Sequence, residues 1–217
     1  MKNKLNRRSF SRNALGIVSG SLVAAGVGTT NAASAYLLQE EEDAEVRGPV
    51  EAEFERDYEA PDFQPSWANP QLNRSMIQDF VIFAHSDLDM TTQLLEREPR
   101  LINAAMDWGN GDFETALGGA SHMGRKDIAG LLLSNGARID IFCAAMMGML
   151  ATVTEMLTVE PALIDAKGPH GFSLHVHAQA GQEEAAPVLE YLQSIKELEL
   201  RPLPFLNRNR SDEGSDS

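Results

Sequence analysis

Apolar residues recur with helical spacing from about Met76 to Leu192, whereas residues 39–62 and 198–217 are too polar to bury much surface. Within the periodic region, short segments rich in alanine alternate with segments rich in leucine, isoleucine and valine. A glycine separates the two kinds of segment three times, at Gly124, Gly148 and Gly181. The pattern predicts short helices that pair closely through small residues, each pair followed by another.

The ends of these paired segments also recur along the chain. Glu98-Pro99-Arg100-Leu101-Ile102-Asn103 is matched 62 residues later by Glu160-Pro161-Ala162-Leu163-Ile164-Asp165, and the related ending Gly136-Ala137-Arg138-Ile139-Asp140 stands between them. The average interval of 31 residues is close to the ~33-residue period of helix-pair repeats, although the two intervals are uneven. We attribute that unevenness to connecting loops of different length.

Three segments carry a resemblance to the ankyrin-repeat family. Thr115-Ala116-Leu117-Gly118-Gly119-Ala120 resembles the family's T-P-L-H-x-A segment, Phe172-Ser173-Leu174-His175 keeps its leucine and histidine, and Leu132-Leu133 with Gly136-Ala137 resembles its helix ending. The resemblance covers residues 76–197. It implies an all-α fold, namely an ankyrin-repeat solenoid of about four stacked helix pairs with irregular connecting loops. An irregular bundle of the same helices is the alternative, but it leaves the recurring segment ends unexplained.

Extra length between Asn103 and Thr115 departs from the family pattern and predicts a projecting finger. Asn110-Gly111 is a strong turn signal, which places Trp108 near the tip or flank of this finger. We weigh two positions for the indole: exposed as a binding anchor, or folded back onto the scaffold.

Outside the periodic region, the first 35 residues predict an export signal. A basic start is followed by an uncharged stretch rich in small and apolar residues. Asn6-Arg7-Arg8-Ser9-Phe10 resembles the twin-arginine signal, which implies export of a folded protein to the bacterial periplasm; an ordinary secretory signal is the alternative. No stable membrane anchor is expected after its removal. We predict an acidic disordered linker at 36–75 and a disordered tail at 198–217.

The net charge of the chain is −14, and without the five basic residues of the signal 13 basic and 32 acidic residues leave −19. Such a polyanion is repelled by phosphate backbones, so nucleic-acid binding is not expected. The expected partner is another protein, one with a basic surface.

The cysteine, the histidines and the absence of catalytic motifs predict that the chain is not an enzyme and binds no cofactor or metal. The single Cys143 lies in an apolar run, and the sequence contains no nucleophile motif or phosphate-binding glycine loop. His85 and His122 occupy similar places in successive repeats, so stacking is expected to bring them together. His175 and His177 superficially resemble a metal motif, but no cysteine or nearby carboxylate completes it, and His170 is expected to be a turn residue.

These observations together predict an exported, non-catalytic ankyrin-repeat protein that mediates protein–protein interaction. The predicted partner-binding residues lie on the finger and near the ends of the first helices: Trp108, Asn110, Asp112, Phe113, His122 and His85. The alternative is a metal- or ligand-binding enzyme or accessory factor that is exported folded.

Overall fold

A computed structural model describes residues 51–63 and 68–207. The chain divides into two units, Met1–Phe63 and Gln64–Ser217. Residues 51–63 of the first unit contain no helix or strand, and all are exposed. The predicted export signal lies outside the described residues, as do the last ten residues of the predicted tail.

The second unit is mostly helical, as predicted, with one small hairpin that an all-α fold does not include. The hairpin consists of β1 (Ala105–Asp107) and β2 (Phe113–Thr115). The eight helices of the described residues are α1 (Arg74–Phe83), α2 (Leu88–Arg97), α3 (Ala116–His122), α4 (Lys126–Ser134), α5 (Ile141–Met146), α6 (Leu150–Val159), α7 (Leu174–Ala180) and α8 (Gln182–Ile195).

The helices pack as four consecutive pairs: α1 with α2, α3 with α4, α5 with α6, and α7 with α8. The first helices of successive pairs also pack on one another, in the order α1, α3, α5, α7. Small, fully buried residues lie where these first helices touch, for example Ala116 and Ala120 of α3 and Ala144 of α5. Larger buried residues such as Ile128 and Leu132 come from the second helices and fill the space between neighbouring pairs.

Capping side chains determine where the first helices begin. Thr115, Asp140 and Ser173 each accept a hydrogen bond from a backbone N–H of the first turn of α3, α5 and α7. These bonds satisfy donors that a helix end otherwise leaves unpaired. The sequence resemblance aligns Phe172 with Thr115, whereas the capping residue of α7 is Ser173, one position later.

Two glycines sit where the pairs approach most closely. Gly148 has φ +72°, and a Cβ there would collide with the backbone carbonyl of Glu184. A glycine at 181 suits a helix end or a positive φ, and Gly181 takes the first role, because it ends α7 with φ −72°. Its lack of a side chain serves close packing, because a Cβ would collide with the carbonyl of Met146. Gly136 follows α4 with φ +90°, a conformation that glycine adopts without a steric penalty.

Proline positions follow the sequence pattern, with one exception. Pro99 and Pro161 begin matching 3-10 helices, Pro99–Asn103 and Pro161–Asp165, directly after α2 and α6. Pro187 stands within the last apolar pattern of the sequence, which predicts either a kink there or the start of the helix. The helix begins earlier, at Gln182, so Pro187 lies inside it.

The beginning of the predicted tail returns to the helices. Leu203 and Leu206 pack against the core, and a 3-10 helix covers Pro204–Asn207. In the described part of the chain, no helix combines the length and apolar character needed to cross a bilayer.

Candidate functional site

The finger predicted around Trp108 is the β1–β2 hairpin. Met106 pairs with Glu114, and the turn contains three consecutive residues at positive φ: Gly109, Asn110 and Gly111. Glycine and asparagine tolerate this conformation best, which explains why the Asn110-Gly111 signal marks the turn correctly.

Alternation along β2 places its side chains on opposite faces. Phe113 is 64% exposed, whereas Glu114 is 1% exposed. Trp108 is 40% exposed, and its indole N–H donates to Oε2 of Glu114 over 2.7 Å. Its ring also packs edge-on against His85 and His170. The indole is therefore held on the scaffold while part of its surface remains accessible.

His85 and His122 meet as predicted, with their Nε2 atoms 3.1 Å apart. His85 follows α1, and its Nδ1 donates to the carbonyl of Val81 over 2.8 Å. A proton fixed on Nδ1 leaves a lone pair on Nε2 of the neutral ring. The ring lies against Gly119 of α3, where a Cβ would be only 2.7 Å from it. Glycine at 119 thus makes room for His85.

Glu114 lies between these histidines and a third one. Its Oε1 is 2.9 Å from Nε2 of His122, and its Oε2 is 3.3 Å from Nε2 of His85 and 3.5 Å from Nε2 of His170. The contact from His122 is close enough for an ion pair but not aligned as a hydrogen bond, so Oε1 has no hydrogen-bond partner. We call Glu114, His85, His122 and His170 the histidine–glutamate cluster.

His170 is a turn residue, as predicted, and also a member of the cluster. It has φ +57° in the turn Pro169–Gly171, a conformation that non-glycine residues adopt at a cost. Asp112 of the hairpin holds it there: Oδ1 accepts from the backbone N–H over 3.0 Å, and Oδ2 accepts from Nδ1 over 2.8 Å. These two bonds direct Nε2 of His170 toward Glu114.

The electrostatics of the cluster are dominated by the buried carboxylate. Burial alone would raise the pKa of Glu114, but the close, polar contacts of His122 and His85 and their charge lower it to about 2. Burial works against the charged form of His85, yet contacts with Glu114 leave its pKa raised. Burial lowers the pKa of His122 in spite of the same carboxylate. Glu114 is therefore an anion at neutral pH.

His175 and His177 do not form a joint site. Nε2 of His175 donates to the carbonyl of Lys196, and Nδ1 of His177 donates to the carbonyl of Ser173, each over 2.8 Å. Both side chains are fully buried. Burial lowers the pKa of His177 to about 4, so it is neutral at physiological pH.

A shallow groove of about 340 Å³ runs beside the hairpin. Its apolar walls include Phe113, Phe142 and Pro169, and its charged groups are two aspartates and one lysine, Asp112, Asp140 and Lys167. Of the six predicted partner-binding residues, Asn110 lies in the hairpin turn and neither lines the groove nor contacts Glu114, and the other five separate into two groups. Asp112 and Phe113 line the groove, whereas His85, His122 and Trp108 surround Glu114.

Neither a protein-family model nor a curated protein matches this chain. The interpretation of the hairpin and of the cluster therefore depends on their geometry.

Sequence reasoning missed Glu114 and the contact of His170 with it. One signal for Glu114 was present, because a two-residue alternation beside the Asn110-Gly111 turn places Phe113 and Glu114 on opposite faces. No comparable signal exists for His170, which is 56 residues from Glu114 in sequence and lies outside the helical pattern.

Proposed function

We propose that this chain is an exported ankyrin-type protein that binds another protein through its hairpin and the adjoining groove. The observation that carries the proposal is Phe113, a large apolar side chain 64% exposed on a hairpin beside a groove with further apolar walls. Exposed aromatic residues at the rim of a groove are frequent anchors in protein interfaces.

The packing of the helices supports the ankyrin interpretation. In the second and third pairs, Gly124 and Gly148 occupy the turn between the two helices with φ +69° and +72°. The same backbone bond closes both turns, from Arg125 N–H to the Ala120 carbonyl and from Met149 N–H to the Ala144 carbonyl. Equivalent turns in successive pairs are what a repeat architecture requires.

Charge supports a basic partner. Asp112 and Asp140 line the groove together with one lysine, Lys167, and the whole chain carries −14. A partner segment with lysine or arginine beside an apolar side chain complements both features. Because part of this attraction is between exposed charges, binding is expected to weaken as salt increases.

A photocrosslinking amino acid at position 113 tests the binding role. Val159, at the end of α6, is 83% exposed and lies outside the groove, so the same substitution there is the matched control. In cells that export the full-length chain, we expect a specific protein adduct from position 113 that is lost at high salt, and no such adduct from position 159. The same adducts from both positions, or none from position 113, would contradict the proposal.

Export is proposed from the signal alone. Conversion of Arg7 and Arg8 to lysine is expected to retain the protein in the cytoplasm if the twin-arginine interpretation holds. Unchanged export of this variant, measured by cell fractionation, would favour the ordinary secretory route.

A further inference from the structure

Four potential metal-ligand atoms converge in the histidine–glutamate cluster. One oxygen of Glu114 and one nitrogen from each of His85, His122 and His170 all lie within 4.8 Å of one another. Nε2 of His85 is 3.1 Å from Nε2 of His122 and 3.3 Å from Oε2 of Glu114, and the same oxygen is 3.5 Å from Nε2 of His170. The other oxygen of Glu114, Oε1, is 2.9 Å from Nε2 of His122. Donor atoms ~2.0–2.1 Å from a tetrahedral ion are about 3.3 Å apart, so the spacing is close to that of a coordination shell.

The charge of Glu114 also favours a bound cation. Glu114 is buried, and no lysine or arginine of residues 51–63 and 68–207 pairs with it; its ion-pair contacts are all from histidines. An isolated buried anion is costly, so the site needs a positive charge beside the carboxylate. That charge is either a proton shared among the imidazoles or a cation bound between them.

We propose that His85, Glu114, His122 and His170 bind one divalent transition-metal ion of the zinc class. Three imidazole nitrogens with one carboxylate oxygen form a donor set that suits zinc better than calcium or magnesium, which prefer oxygen ligands alone. The assignment goes beyond protein binding and does not depend on it.

The surroundings hold the donors in ligand geometry. Val81 fixes the proton of His85 on Nδ1, and Asp112 does the same for His170, so both rings present Nε2 lone pairs. A histidine ligand in metalloproteins typically donates its second nitrogen in this way. Nδ1 of His122 has no partner, so no hydrogen bond opposes the tautomer that a metal at Nε2 requires. Trp108 donates to Glu114 and orients the carboxylate.

The cluster is also accessible from one side. Side chains of Glu114 and His122 are 0% and 5% exposed, whereas those of His85 and His170 are 18% and 29% exposed. An ion can therefore enter past His85 and His170 and bind against a buried wall. Once bound, it would connect the end of α1, the end of α3, the hairpin and the turn before α7.

Titration of the full-length, chelator-treated chain with Zn²⁺ in a calorimeter tests the site. Absorption after addition of Co²⁺ reports on coordination, since tetrahedral Co²⁺ absorbs far more strongly in the visible range than the hydrated ion. We expect one ion per chain and a tetrahedral Co²⁺ spectrum that excess Zn²⁺ abolishes.

Two variants weaken the donor set with little change in side-chain shape or backbone preference. Glu114→Gln keeps the shape of the side chain but removes its charge. His170→Asn removes a nitrogen ligand, and asparagine tolerates the positive φ at this position. Asp107→Asn is the matched control, because Asp107 is an exposed carboxylate on the same hairpin, opposite Phe113 in the register. Circular dichroism establishes that each variant retains its helices.

Each outcome decides for or against the site. Weakening of Zn²⁺ binding by more than about 100-fold in both variants, with Asp107→Asn unchanged, supports it, because even partners behind the ligands contribute roughly 10–100-fold. Absence of Zn²⁺ and Co²⁺ binding in the unaltered chain would overturn the proposal in favour of a shared proton. A weakening of less than about 100-fold in either folded variant would also overturn this ligand set.

Discussion

Asp112 and His170 are joined by two hydrogen bonds although 58 residues separate them in sequence. One oxygen of Asp112 accepts from the backbone N–H of His170, and the other accepts from its imidazole Nδ1. The first bond stabilises a strained turn, and the second fixes which ring nitrogen faces Glu114. A single carboxylate thus sets both the position and the tautomer of a histidine.

Replacement of Asp112 by asparagine separates these two roles. The amide keeps one oxygen for the backbone N–H, but its NH₂ group cannot accept from Nδ1. We expect the helices to remain and the affinity for Zn²⁺ to fall roughly 10–100-fold. Calorimetry measures the affinity, and ¹⁵N NMR of the imidazole reports the tautomer. Unchanged affinity together with an altered tautomer would show that His170 does not bind the ion.

Gly119→Ala tests whether Zn²⁺ affinity depends on where the His85 ring lies, because the variant moves the ring without removing it. Alanine favours a helix by about 1 kcal/mol over glycine, so local preference alone predicts a more stable α3. Its Cβ would instead lie 2.7 Å from the His85 ring and force that ring to move. We expect Zn²⁺ binding about 10-fold weaker or worse, without loss of any donor.

The control for Gly119→Ala is Gly130→Ala in α4, where nothing lies within 4 Å of a new Cβ. Gly130→Ala should leave Zn²⁺ affinity unchanged and raise stability. Equal affinities for both alanine variants would contradict the packing of His85 against α3.

Gly148→Ala tests how closely the helix pairs approach. The substitution combines positive φ with a collision against the carbonyl of Glu184. We expect a loss of about 2–4 kcal/mol in the free energy of unfolding, measured with urea. Gly130→Ala should instead gain about 0.5–1 kcal/mol, because it restricts only the unfolded chain and favours the helix. Similar effects at both glycines would refute the close contact between α8 and the turn before α6.

The buried His177 gives the unit a pH-dependent stability. Its pKa is about 4 in the folded protein against 6.5 as the unperturbed value, because burial disfavours the charged ring. The unfolded chain therefore binds the extra proton between pH 6.5 and about 4, and stability falls as pH decreases through that window. The total loss is on the order of 3 kcal/mol.

His177→Gln should remove this contribution. We expect urea unfolding of both proteins, in the presence of chelator, to show that the free energy of unfolding falls less steeply with decreasing pH in the variant between pH 6.5 and 4. Below pH 4 the two proteins should have the same slope. Parallel declines would mean that His177 is not the neutral, buried group described above.

The features that the sequence predicted correctly are mainly those that follow a periodic or local pattern. Equivalent positions in successive helix pairs must stack, so the meeting of His85 and His122 followed from the recurring pattern. The hairpin turn followed from Asn110-Gly111, because few residue pairs tolerate consecutive positive φ. The ankyrin assignment and the export signal remain predictions.

Features outside the periodic pattern could not be predicted in the same way. His170 reaches Glu114 because the turn before α7 passes the hairpin, and no local pattern encodes that passage. Leu203 likewise packs on the core from a segment that composition predicts to be a solvated tail. His175 and His177 show the converse, since a spacing of two places side chains about 200° apart on a helix and gives them separate partners.

Anomalous X-ray diffraction at the zinc absorption edge, from crystals of the chain grown with Zn²⁺, tests the metal-site assignment most directly. The assignment predicts one strong peak about 2.0–2.2 Å from Nε2 of His85, Nε2 of His122, Nε2 of His170 and one carboxylate oxygen of Glu114. A Zn²⁺-containing crystal with no peak among these four groups, or with zinc bound only at surface carboxylates, would contradict it.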